Sequence, residues 1–158
     1  MSDERFMKRA IELSREGVTG GYGLPFGSVV VKDDEIVGEG YNMVTSTNDP
    51  TAHAEVLSIR DAARRLETYD LSGCDLYTNG PPCCMCLGTI LWARISRVFY
   101  VLSMKDCDDI GLPHEHLFED FSRPIDQRSI PFIAMTGFDD EARAVYDLWA
   151  NAPDRPKF

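Results

Sequence analysis

The sequence of 158 residues has no apolar run approaching the roughly 20 residues that a membrane-spanning helix needs. Its first nine positions, Met1 to Arg9, are charged and lack the apolar centre of a secretory signal, so a cytoplasmic protein is expected. Basic charge is scarce: 16 Lys and Arg stand against 26 Asp and Glu, a formal net charge of −10. Nucleic-acid binders replace condensed counterions with a basic stripe, and this balance speaks against such a partner and for a small, uncharged or cationic substrate. No repeat, low-complexity tract or linker interrupts the chain, and one domain over residues 1–158 is expected. Cysteines number five, an awkward disulfide set with three of them crowded at Cys83, Cys84 and Cys86, and in a reducing compartment they read better as metal ligands.

What is present falls into a regular order. Residues 3–16 predict a helix, with Phe6, Met7, Ala10, Ile11 and Leu13 on one apolar face, Ser2 as cap and Gly17 as stop. A glycine-rich loop, 18–24, leads to a β-hairpin made of 26–31, a turn at Lys32-Asp33-Asp34, and 36–41. Polar loop 42–47 then feeds a helix over 51–66, with Asp49 as N-cap and Pro50 at its first position. A short strand, Leu76-Tyr77-Thr78, delivers the chain to a second helix, opened by Pro82 and running to Ala93. Strands are predicted at 98–101 and, as a fifth, at 130–135; the stretch between, 103–129, reads as irregular apart from a short helix over 106–110. A helix over 139–150 and a proline-containing tail close the chain. Strands joined through helices in this order predict an α/β sheet layered between helices.

The chemistry concentrates between Thr51 and Cys86. His53, Cys83 and Cys86 supply one imidazole and two thiolates, three of zinc's four preferred ligands, and leave the fourth place to water or substrate, as catalytic sites do. Cys83 and Cys86 stand at i and i+3, on one helix face, where the positive helix end favours thiolates. His53 and Glu55 are two apart, so both reach one ion only from the first helical turn, where side chains splay around the end. Two helix N-termini would then meet at one metal. Either motif alone is weak; together, each behind its own proline, they form the signature of zinc deaminases.

Other candidates have plainer readings. Cys84 points a quarter turn away from Cys83 and is read as packing or as a backbone donor near the site. Cys74 and Cys107 read as buried thiols without chemistry, and Trp92, Trp149, Leu87, Ile90 and Leu91 as core. Asp106, Asp108 and Asp109 read as a solvated face. Asn42 is open between turn former and substrate hydrogen-bonder. His114 and His116 read as exposed, with proton transfer as the sharper alternative.

The segments Pro25-Phe26-Gly27, Asn48 through Glu55, Pro82 through Gly88 and Trp92-Ala93-Arg94 resemble the cytidine deaminase-like superfamily, and within it the bacterial guanine deaminase group. The likeness covers most of the chain, including the opening helix and Ile130-Pro131-Phe132. It implies a three-layer α/β/α fold with a mixed five-stranded sheet, a homodimer, and a C-terminal segment able to close over a site. It also implies Zn2+ on His53, Cys83 and Cys86, with Glu55 as proton carrier and Asn42 and Phe26 touching the base. The expected substrate contacts are thus Asn42, Phe26, Ala54, His114, Trp92 and Phe158. The chain departs from the group's pattern at Pro81, at Gly111-Leu112-Pro113-His114 and at Phe158.

The reaction expected is hydrolytic loss of ammonia from an aminated nucleobase or related heterocycle. Two other readings stand beside it: a tRNA-specific adenosine deaminase, which would flip its base into the pocket, and a non-catalytic module in which zinc is structural.

Overall fold

A computed structural model describes residues 3–156. The opening helix α1 spans Glu4–Thr19, and Asp3 caps it by accepting the Arg5 N–H at 3.0 Å. Ser2, the expected cap, lies outside the described residues, and the helix runs past Gly17 to end at Gly20. The hairpin forms as expected, with β1 over Gly27–Lys32 and β2 over Glu35–Tyr41. Its two turn residues, Asp33 and Asp34, have φ of 50° and 62°, the left-handed pair that a tight two-residue connection demands. A one-turn helix α2, Val44–Thr47, precedes α3, Ala54–Arg65. Next come β3 at Asp75–Thr78, α4 at Cys84–Trp92 and β4 at Arg97–Tyr100.

The strands lie in the order β2-β1-β3-β4, with β3 and β4 parallel and the other pairs antiparallel. Alternation along each strand feeds two cores. Val30 and Leu76 join Ile59 and Ala62 of α3 and Ile90 of α4 on one face, whereas Val29, Val31 and Tyr77 meet Phe6 and Leu13 of α1 on the other. Helices thus cover both faces of the sheet, which is the expected three-layer α/β/α arrangement.

The sheet is mixed but has four strands rather than the five expected. Residues 130–135 form no strand. Their apolar side chains suit a strand, but a strand exists only where a neighbour completes the hydrogen-bond ladder, and Pro131 removes one donor. Ile130, Phe132, Ile133 and Met135 are all exposed.

The short helix expected over 106–110 forms as α5 at Met104–Asp109, and the stretch after it, expected to be irregular, holds a further helix, α6 at Glu115–Ser122. Asp106 is not merely solvated: it closes a capping box with Ser103 at the start of α5. The chain divides into two compact units, Met1–Ser122 and Arg123–Phe158. The second contains a 3-10 turn at Ile125–Gln127 and helix α7 at Asp139–Ala150, the helix predicted from sequence. On α7, Trp149 is half exposed rather than core, and the Arg155 guanidinium lies over its ring at 5.3 Å.

Candidate metal centre and adjoining cavity

Two helix starts carry the site, each slightly later in the chain than the sequence suggests. His53 itself occupies the N-cap of α3, and Cys83 the N-cap of α4. Asp49-Pro50-Thr51 forms a turn ahead of α3 instead of its cap, held by Asp49 Oδ1 accepting the Thr51 N–H at 2.8 Å and the Thr51 hydroxyl at 2.7 Å. Pro82 likewise precedes the cap and does not open the helix. The consequence for the site is favourable: Cys83 and Cys86 hold N-cap and N3, the two positions whose side chains converge in capping boxes. His53 and Glu55 hold N-cap and N2 of α3, within the first turn.

The three donor atoms converge. His53 Nδ1 is 3.6 Å from Cys83 Sγ and 3.4 Å from Cys86 Sγ, and the sulfurs are 3.5 Å apart. That is far beyond a disulfide bond of about 2.05 Å. A tetrahedral zinc with Zn–S near 2.3 Å and Zn–N near 2.0–2.1 Å spaces its donors by about 3.5–3.8 Å. The observed triangle therefore fits zinc, and the soft donor set is one that zinc prefers.

Charge in the cluster is shared. The Cys83 thiol is pulled down to about 4, chiefly by the hydrogen bond from Cys86 and, beyond the opposing effect of burial, by the His53 ring. Cys86 is pushed up for the complementary reason, since it keeps the proton it shares with Cys83, and burial beside Glu55 adds to the shift. His53 is raised by its hydrogen bond to the Cys83 thiolate. Glu55 is 5% exposed, and burial pushes its carboxyl above the ordinary range. A carboxyl poised to hold a proton beside a three-ligand cluster is the equipment of general acid–base catalysis.

Beside the cluster lies a cavity of about 200 Å³, lined by His53, Glu55 and Cys83 together with Leu24, Phe26, Pro81, Leu112, Pro113, His114 and Leu117. Pockets for drug-sized ligands run to about 300–1,000 Å³, so this one suits a small ring compound. Phe26 stands in the wall. His114 also lines it, half buried rather than exposed, whereas His116 is exposed. Asn42 is fully buried outside the lining. Its Oδ1 accepts the Leu24 and Val44 N–H groups at 3.0 and 3.2 Å, and its Nδ2 has no partner. Ala54 is also fully buried.

The structure does not bring Trp92 to the cavity: it lies on α4 and is 70% exposed. Leu87 and Leu91 are exposed on the same helix, and only Ile90 of that expected core group is buried. Phe158 lies outside the described residues. Cys74 and Cys107 are buried free thiols, as read from sequence. The lining residues Leu24, Leu112, Pro113 and Leu117 went unpredicted, because apolar wall residues carry no chemical signature; the amphipathic spacing of Leu117, Phe118 and Phe121 was the available signal for α6.

The family model for the cytidine and deoxycytidylate deaminase zinc-binding region matches residues 1–102. Guanine deaminase of Bacillus subtilis is 43% identical over all 158 residues, covering 100% of both chains. The X-ray structure of guanine deaminase from Bacillus subtilis superposes with a TM-score of 0.93, at 43% identity, over 100% of this chain and 99% of that one. A tRNA-specific adenosine deaminase of Aquifex aeolicus is 40% identical over 100 residues, 63% of this chain and 66% of its own.

Proposed function

The chain belongs to the cytidine and deoxycytidylate deaminase zinc-binding family and is a zinc-dependent hydrolytic deaminase; on that premise we propose that guanine is the base it deaminates and that residues 1–158 act as one deaminase domain. The observation that carries the substrate proposal is 43% identity over the full length to a guanine deaminase. A cavity sized for one small ring beside His53, Cys83 and Glu55 agrees with it.

His53, Cys83 and Cys86 are positioned to hold the zinc. When bound, zinc supplies a Lewis acid that lowers the pKa of water from about 16 to about 7. Glu55 takes one proton from the attacking water, holds it on a carboxyl oxygen whose burial favours the protonated form, and delivers it to a ring nitrogen; it then takes the remaining hydroxyl proton and passes it to the amine, which leaves as ammonia while the carbonyl forms. Phe26 and the leucines of the wall exclude bulk water from the ring. Asn42 lies behind the wall with its Oδ1 on the N–H of the lining residue Leu24, and its unpartnered Nδ2 is the group we propose as donor to the base. The Ala54 N–H, in the first turn of α3 where backbone donors lack intrahelical partners, assists at the reacting carbon.

The partner is a small molecule, supported by the net charge of −10. A homodimer is proposed on the exposed apolar face of α4, where Leu87 and Leu91 are 39% and 77% exposed. No helix among the described residues is long and apolar enough to cross a membrane. A cytoplasmic location is proposed with the five unpaired cysteines in support.

An ammonia-release screen over guanine, cytosine, isocytosine, adenine, aminotriazines, pterins and their nucleosides tests the substrate: guanine should lead. The 40% identity to a tRNA deaminase makes transfer RNA the competing substrate. Its absence from a gel shift at low salt removes that competitor.

A further inference from the structure

One polar atom of a residue that lines the cavity has nothing to bond. His114 Nδ1 stands 3.2 Å from the Leu112 carbonyl oxygen. A carbonyl oxygen only accepts, so Nδ1 carries the hydrogen, and in the neutral ring Nε2 is left with a lone pair. That Nε2 is buried and has no hydrogen-bond partner. The ring sits against Phe118, centroids 6.3 Å apart, and Pro113 stiffens the backbone between the histidine and the carbonyl it binds. Apart from Glu55 and the metal-binding residues His53 and Cys83, every other side chain of the lining is apolar. A buried acceptor without a donor is costly, and a molecule entering the cavity that His114 lines is the source of a donor that the apolar wall lacks.

On the deaminase reading above, we infer that His114 determines which heterocycles this site accepts: its Nε2 takes a hydrogen bond from a ring N–H. The substrate class is then the aminated lactam, a ring with an amine on one carbon, a carbonyl on another and a protonated ring nitrogen. A ring of the same outline with a bare nitrogen at that place sets two lone pairs against each other in a dry wall and leaves both unsatisfied. Guanine carries the N–H; 2,6-diaminopurine keeps the 2-amine and the fused rings but has only a lone pair on the corresponding nitrogen.

Calorimetric titration into zinc-loaded protein carrying Glu55→Gln reads binding without turnover. Guanine should bind about 10- to 100-fold more tightly than 2,6-diaminopurine, the range expected for one unsatisfied buried acceptor. Adding His114→Leu should abolish that preference, and adding His114→Gln, whose Oε1 replaces the Nε2 lone pair, should restore most of it. Zinc content and melting temperature serve to show that each variant is folded. A preference that survives His114→Leu, or equal weakening of both ligands, overturns the assignment. Ammonia release by the unmutated protein is measured in parallel. No release from any base with the His114-dependent preference intact sinks the deaminase reading alone; release without that preference sinks the His114 assignment alone.

Discussion

The Ala54 carbonyl oxygen lies 2.7 Å from the point where a Cβ on Gly40 would stand. The Ser58 nitrogen is as close, and at Gly38 the Ser58 oxygen would lie within contact distance of a Cβ too. Helix α3 therefore rests on the bare backbone of β2, and this contact fixes the height at which His53 and Glu55 leave the helix start. Gly40→Ala must move helix backbone, which does not yield as a side-chain tip does. The expected cost is about 1–3 kcal/mol, with roughly 2–4 °C of melting temperature per kcal/mol in a chain of this size. Zinc affinity should fall with it, because the His53 end of the donor triangle moves. Thermal melts and a zinc-chelator competition check this; an unchanged melt with unchanged zinc affinity would show that the contact is slack.

A second tie between the same elements is electrostatic. Burial pushes the Asp61 carboxyl up, but the Glu39 N–H and the Arg64 and Arg65 guanidiniums outweigh it and hold the group below the usual range. The bonds are 3.2 Å to Glu39 N, 2.5 Å to Arg64 and 2.7 Å to Arg65, on a side chain 15% exposed. Because the folded-state pKa is depressed, the stabilisation is fully present above the unfolded carboxylate value near 3.9 and is lost as pH falls through the folded one. Asp61→Asn should cost about 1.5–3 kcal/mol at pH 7 and progressively less in acid. Urea unfolding in the presence of a chelator, from pH 7 to below pH 4, measures the gap between the two proteins. A gap that stays constant with pH would contradict it.

Metal removal separates the three crowded cysteines. Cys83→Ala or Cys86→Ala should each lose zinc, since each deletes one of three donors, whereas Cys84→Ala should keep it because Cys84 stands outside the triangle. Elemental analysis decides, and equal zinc loss in all three would undo the ligand assignment. Once zinc is chelated, Cys83 should be the first thiol to react with iodoacetamide at neutral pH. Its sulfur is already a thiolate, held near pKa 4 by Cys86 and His53, while burial raises Cys74 and Cys107 and hides them. Peptide mapping of the alkylated protein reads the order directly.

Where chemistry dictated the residues, the sequence could be read. The His53, Cys83 and Cys86 triangle needs those donor types at helix starts, and prolines marked both starts to within a few positions. The offset at Asp49 arose because an Asp-Pro-Thr turn and a helix cap use the same hydrogen bonds. What failed depends on long-range partners. The apolar stretch 130–135 has the composition of a strand but no ladder. Leu91 and Trp92 look like core but lie in solvent. His114 reads as a surface loop residue until Pro113 and α6 are seen to carry it to the cavity wall. Local pattern fixes which face of an element is apolar, and the rest of the chain decides whether anything meets that face.

Glu55 is the one carboxyl among the described residues that line the cavity. Glu55 is almost wholly buried at the second position of α3, beside but not within the donor triangle. Structural support alone would be served as well by glutamine, which has the same shape and keeps the hydrogen-bonding capacity without the titrating proton. Glu55→Gln should therefore leave zinc content and melting temperature near those of the parent and lower kcat by at least the roughly 10²–10⁴-fold that a positioned proton carrier contributes. Turnover of guanine and zinc by elemental analysis are measured on the same preparation. Loss of zinc would make Glu55 a ligand, and retained turnover would mean that another group moves the proton. Full zinc with no turnover is the pairing expected of a proton carrier that is not a ligand.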